Sequence, residues 1–162
     1  MSPRTAWAFI NLLSGADAQV SQSERTRLRR RRDRLAASDN PTLLLKSWLP
    51  LRAERLQLSV AHRDLDDLCS DRRTLLSGIG DDRAAIVKVA QAEMYAARGD
   101  LDKLVSDYLL AEIGHPNLTL HVVDGELPTE VSPVLVAADL ADWDRPRELQ
   151  QAAVLIRQTL VL

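Results

Sequence analysis

The sequence predicts an α+β fold: an N-terminal helical segment over residues 1–50, then an α+β domain over residues 51–162 with C-terminal helices. Three observations point there. The first fifty residues carry helix starts and helical apolar spacing. A strand-then-helix unit is then written twice, over 56–76 and 92–113. Two further helical stripes close the chain. Shifting Ala61–Asp71 by 36 residues sets Asp64 on Asp100, Leu65 on Leu101, Asp66 on Asp102, Leu68 on Leu104, Ser70 on Ser106 and Asp71 on Asp107. Two copies are too few for a solenoid, so the domain is pseudo-duplicated.

Each element has its own signal. Ser2-Pro3 is an N-cap followed by the first helical residue, Trp7, Phe9, Ile10 and Leu13 give a helical face, and Gly15 stops it. Ser21-Gln22-Ser23-Glu24 is a capping box. The helix it opens holds Arg25, Arg27, Arg29, Arg30, Arg31, Arg32 and Arg34, with Leu28, Leu35 and Ala36 as one thin apolar edge. Asn40-Pro41 starts a third, short helix through Leu43, Leu44, Leu45, Trp48 and Leu49. Leu56, Leu58 and Val60 alternate with Gln57 and Ser59, the pattern of a strand with one buried face.

In both copies an aspartate, Asp64 or Asp100, is expected as N-cap, where a carboxylate meets free N–H groups and the positive helix end. Thr74–Gly80 reads as a strand or tight turn, and 84–90 is open between strand and irregular structure. Ala92–Ala97 is assigned to strand on the strength of the repeat, against its helix propensity. Asp100–Ile113 is the second repeat helix, and Leu118–Val123 the clearest strand, with His121 expected at the surface or partly buried. Val134–Trp143 and a last helix from Pro146, with a stripe of Leu149, Ala152, Ala153, Ile156 and Leu160, complete the order.

Charge is divided along the chain. Residues 1–60 carry 11 Arg and Lys against 5 Asp and Glu, and residues 61–162 carry 10 against 18. Such asymmetry marks a basic surface for nucleic acid or an acidic partner, or two halves that attract each other. Three readings of the Arg run stay open: a solvated face paired with the acidic body, a nucleic-acid contact, or a contact with an acidic protein. Guanidinium matches phosphate geometry and also reads guanine. A membrane surface is excluded because the helix lacks a broad apolar face.

Catalytic signatures are missing. The histidines His62, His115 and His121 are scattered, and Cys69 is the only cysteine, so no disulfide and no structural zinc site is expected. Gly78-Ile79-Gly80 is too short for a nucleotide fingerprint. Asp64, Asp66 and Asp67 read as a well-charged helix start rather than a metal site. No cofactor is expected. With one cysteine, no secretory signal and no long apolar run, a cytoplasmic location is expected.

The order Leu58–Asp71, Leu75-Leu76-Ser77-Gly78-Ile79, Asp100–Val105 with Tyr108-Leu109-Leu110, Asn117–Val123, Ala137–Ala141 and Pro146-Arg147-Glu148 resembles small actinobacterial helix-turn-helix regulators. It is similar to antitoxins of abortive-infection, nucleotidyltransferase-type toxin–antitoxin pairs, over about residues 52–160. The resemblance implies a non-enzymatic regulator that binds DNA, a cognate toxin, or both. Arg27, Arg30, Arg31 and Arg34 are the expected phosphate contacts. The alternative is a protein-interaction or homo-oligomeric module whose basic helix docks on an acidic protein surface.

Overall fold

The structure, a computed structural model, describes residues 1–85 and 90–160. The fold is α+β, as the sequence predicts. The described residues group into two compact units, Met1–Arg52 with Ser132–Leu162, and Ala53–Val131. The sequence reading placed the C-terminal helices with the sheet; they group instead with the N-terminal helices. Among the described residues no helix is long and apolar enough to cross a membrane.

The first unit is helical. It holds α1 (Pro3–Leu13), α2 (Gln22–Ala36), α3 (Pro41–Trp48), α6 (Pro133–Asp142) and α7 (Pro146–Leu160). The predicted starts are present: Ser2 and Ser21 cap α1 and α2 with their side chains, and Ser21 with Glu24 forms a complete capping box. Helix α6 is buried all round, every residue from Val134 to Ala141, and α1, α3 and α7 pack on it. A helix apolar on every side belongs in an interior. In α7 the buried positions are Glu148, Ala152, Leu155 and Ile156, so the stripe is rotated from the predicted one: Leu149, Ala153 and Leu160 are only half-buried. Residues 161–162 lie outside the described residues.

The second unit is a four-stranded sheet with two helices. Its strands are β1 (Glu54–Leu58), β2 (Thr74–Leu76), β3 (Ala92–Ala97) and β4 (Leu118–Val123), and its helices α4 (His62–Cys69) and α5 (Leu101–Tyr108). The order across the sheet is β1-β4-β3-β2. The central pair β3 and β4 is parallel, and each edge strand is antiparallel to its neighbour. The second strand–helix–strand unit, β3-α5-β4, therefore sits between the two strands of the first, β1-α4-β2. One face of the sheet, Ala92, Met94, Ala96, Leu118, Leu120 and Val122, forms a core with Leu58, Leu65, Leu68 and Leu104. Strand β3, assigned from the repeat, is present. Residues 86–89, part of the open stretch 84–90, lie outside the described residues.

The repeat is real in structure but not in the register that the letters suggest. Helices α4 and α5 start 39 residues apart, at His62 and Leu101, and end 39 apart, at Cys69 and Tyr108. The shift of 36 slips by three residues, close to one helical turn, so the apolar stripes still coincide. The slip also corrects one of the two expected caps. Asp64 is the third residue of α4, whose N-cap is Ala61. Asp100 is the N-cap of α5, as expected, at the end of a 3₁₀ turn, Arg98–Asp100, but its side chain makes no cap bond.

Helix α5 is also shorter than predicted. It stops at Leu109, which adopts φ +51°, and Ala111 then bridges Ser59 beyond β1. Leucine in the left-handed region is strained, and Leu109 buries little in return, being 79 % exposed. Leu109→Gly is expected to raise stability by about 0.5–1 kcal/mol. A urea midpoint unchanged or lowered in the variant would count against strain at this cap.

Candidate functional site

Helix α2 shows where the predicted contact residues lie. Leu28 and Leu35 are buried and α1 and α3 pack on the helix, so one line of α2 is fixed inward. At about 100° per residue, Arg27, Arg30, Arg31 and Arg34 share one flank at i, i+3, i+4 and i+7. Arg27, Arg30 and Arg34 are exposed and Arg31 is half-buried. The other flank carries Arg25, Arg29 and Arg32.

Acids within the unit answer only part of this charge. Arg25 pairs with Asp17 at 3.0 Å and Arg32 with Asp33 at 3.0 Å. Glu24 is engaged by Ser21 and by Arg4 at 3.4 Å. The Ser21 hydroxyl and N–H hold the Glu24 carboxyl below its usual range, helped by the charges of Arg4 and Arg27. Arg34 lies over the Trp48 ring, 5.9 Å from its centroid, and Trp48 in turn meets Phe9 edge-on. Among the described residues Arg27, Arg29, Arg30 and Arg31 form no ion pair. The i,i+3 and i,i+4 Arg pairs repel by about 0.2–0.5 kcal/mol each. A bound polyanion would remove that cost.

Two buried polar clusters escaped the sequence reading. In the helical unit Arg52, 3 % exposed, donates from Nε and Nη2 to Asp139 Oδ1 at 3.1 and 2.6 Å. It also donates to Asp142 Oδ2 and, at 2.9 Å, to the Leu49 carbonyl. Its own carbonyl accepts from Trp7 Nε1 at 2.8 Å. The signal was one aspartate, Asp139, in an otherwise apolar helix.

The second cluster lies on the sheet face opposite the apolar core. Period-two alternation puts Glu93 and Tyr95 of β3 beside Thr119 and His121 of β4, and the parallel register sets Tyr95 against His121. His121 Nε2 and Glu93 Oε1 are 2.8 Å apart, and the Tyr95 ring stacks on the imidazole at 4.7 Å. His121 is 1 % exposed, where a surface or partly buried position was expected. Carboxylate and imidazole are both metal-ligating groups. Neither reaches solvent. Among the described residues Asp64, Asp66 and Asp67 do not converge with other donors.

A third network joins the ends of α4 and α5. Asp71 accepts from Arg73 Nη2 at 2.6 Å and from the Tyr108 hydroxyl at 2.8 Å, while Arg73 Nη1 reaches Asp107 at 2.7 Å. The Arg73 guanidinium holds the Asp71 carboxyl far below the usual range, and the Asp71 hydrogen bond raises the Tyr108 phenol. The unfolded chain binds the Asp71 proton first, near pH 3.9. Stability from this group is therefore full above about pH 4 and is lost as pH falls toward the depressed folded value. Asp71→Asn is expected to cost about 1–2 kcal/mol at pH 7, allowing for solvent screening. Urea unfolding at pH 7, 4 and 3 checks the sign, since the gap between wild type and variant should narrow only below pH 4.

Beside this network a shallow cleft of about 570 Å³ is lined by Cys69, Asp71, Thr74, Leu76, Arg83 and Glu130. Cys69 is half-buried against the apolar core, as its helix face predicts. Comparison with protein-family models, with curated proteins and with solved structures finds no match to this chain.

Proposed function

We propose that this chain is a non-enzymatic, cytoplasmic, antitoxin-like regulator that binds nucleic acid through α2. One observation carries the reading. Arg27, Arg30 and Arg31 lie on one flank with no ion pair among the described residues, although the chain as a whole has a net charge of −2. Had the acidic residues neutralised this flank, only a solvated face would remain.

Binding should depend steeply on salt. Three to four phosphate contacts give a slope of about −2.7 to −3.6 in log K against log salt, or about 40- to 150-fold weaker binding between 50 and 200 mM. Fluorescence anisotropy with duplex DNA from the gene's own upstream region measures it. Arg27→Ala and Arg30→Ala should each reduce the slope by about one. No binding at 50 mM salt would remove the nucleic-acid half of the reading.

A protein partner is the second reading. Leu109 and Ile113, each 79 % exposed, place two large apolar side chains on the surface of the sheet unit. The partner would be a cognate toxin or a second copy of the chain. Co-purification with the neighbouring gene's product that survives nuclease treatment and fails with Leu109→Asp would favour it.

A further inference from the structure

The two flanks of α2 differ in a way that bears on how the helix meets its ligand; this step rests on the proposed function. The flank of Arg25, Arg29 and Arg32 is largely answered within the unit, by Asp17 for Arg25 and Asp33 for Arg32. The flank of Arg27, Arg30, Arg31 and Arg34 contains no ion pair among the described residues. Between the flanks, opposite the buried line of Leu28 and Leu35, the outward ridge carries Thr26, with Arg30 on one side of it and Asp33 on the other. The Asp33 carboxylate is 64 % exposed there.

A helix that reads bases enters the major groove ridge first, passing between two phosphate walls. Asp33 on that ridge would carry a like charge into the groove. Single strands are held by stacking bases on aromatic rings, and Gln22–Ala36 contains none. What is left is the cationic flank alone. From Arg27 to Arg34 it rises about 10 Å along the helix axis, enough to span neighbouring phosphates of one strand.

We infer that the Arg27–Arg30–Arg31–Arg34 flank lies along one phosphate strand of a nucleic-acid duplex and holds it without reading its sequence. The ridge and its aspartate stay outside the groove. Arg29, on the far flank, takes no part.

The test is anisotropy at 50 mM salt with the full chain against labelled 20-base-pair duplexes. The set comprises three unrelated DNA sequences, one RNA duplex, and the single strands of each. Expected are affinities within about threefold among the DNA duplexes, an RNA duplex that also binds, and single strands that bind more weakly. Arg30→Ala should weaken binding roughly fivefold or more and Arg29→Ala less than twofold, with helix content by circular dichroism unchanged in both. Asp33→Asn should tighten binding by roughly three- to tenfold, because it removes the like charge.

A tenfold preference among the DNA sequences would overturn the inference and leave the proposed function standing. So would single strands that bind as tightly as duplexes, equal losses from Arg29→Ala and Arg30→Ala, or polyglutamate competing as well as duplex at equal charge. No binding to any polyanion would overturn both.

Discussion

Replacing Asp139 by alanine is expected to cost about 3–5 kcal/mol, enough to unfold much of the helical unit at room temperature. Arg52 is 3 % exposed and Asp139 fully buried, so water cannot replace the lost acceptor. The guanidinium would keep the Leu49 carbonyl and Asp142, whose side chain is 17 % exposed. The damage would spread through Arg52, because its carbonyl holds the Trp7 indole and its side chain ties the end of α3 to α6. Asp142→Asn keeps the buried pair and should cost only about 1–2 kcal/mol. Trp7, Trp48 and Trp143 all belong to this unit, so tryptophan fluorescence in a urea titration reports on it directly. A loss below 1 kcal/mol for Asp139→Ala would mean that Asp142 alone satisfies Arg52.

The sequence reveals the elements of this protein better than their partners. Caps and breakers are local chemistry, so Ser2-Pro3, the Ser21–Glu24 box and Asn40-Pro41 mark three helix starts that the structure contains. Strand β3 was legible only because a second copy of its neighbourhood existed, since Ala, Glu and Met on their own favour helix. The same resemblance misled by three residues, because a helical stripe repeats nearly every turn and cannot distinguish 36 from 39. The grouping of α6 and α7 with the N-terminal helices was illegible, as no local signal says which distant surface covers an apolar helix. His121 looked exposed because alternation within one strand shows which residues share a face, not whether that face is covered. The Arg flank was found from composition, but its lack of ion pairs among the described residues needed the positions of Asp17, Glu24 and Asp33.

Gly78→Ala should show that the short Gly-Ile-Gly stretch exists to seat Glu93. Gly78 has φ +50°, and a Cβ there would fall on the Glu93 carboxylate. That carboxylate accepts from the Ile79 N–H at 3.0 Å through Oε2 and meets His121 Nε2 at 2.8 Å through Oε1. Displacing it breaks both contacts where no water reaches, and the alanine must also hold a left-handed backbone. Together these should cost about 3–4 kcal/mol, of which about 1 kcal/mol is backbone. Tyr95 and Tyr108 both belong to the sheet unit, so near-ultraviolet circular dichroism from tyrosine helps to follow it. In a Glu93→Ala background the Gly78 change loses its collision, and its cost should fall to about 1 kcal/mol. Gly80 supplies the contrast, because its Cβ would lie 2.5 Å from the backbone oxygen of Glu93, which side-chain truncation leaves in place. Gly80→Ala should therefore cost as much in the Glu93→Ala background as in the wild type. Equal costs for Gly78→Ala in the two backgrounds would show that the glycine answers to the backbone alone, and that Glu93 is not held by this turn.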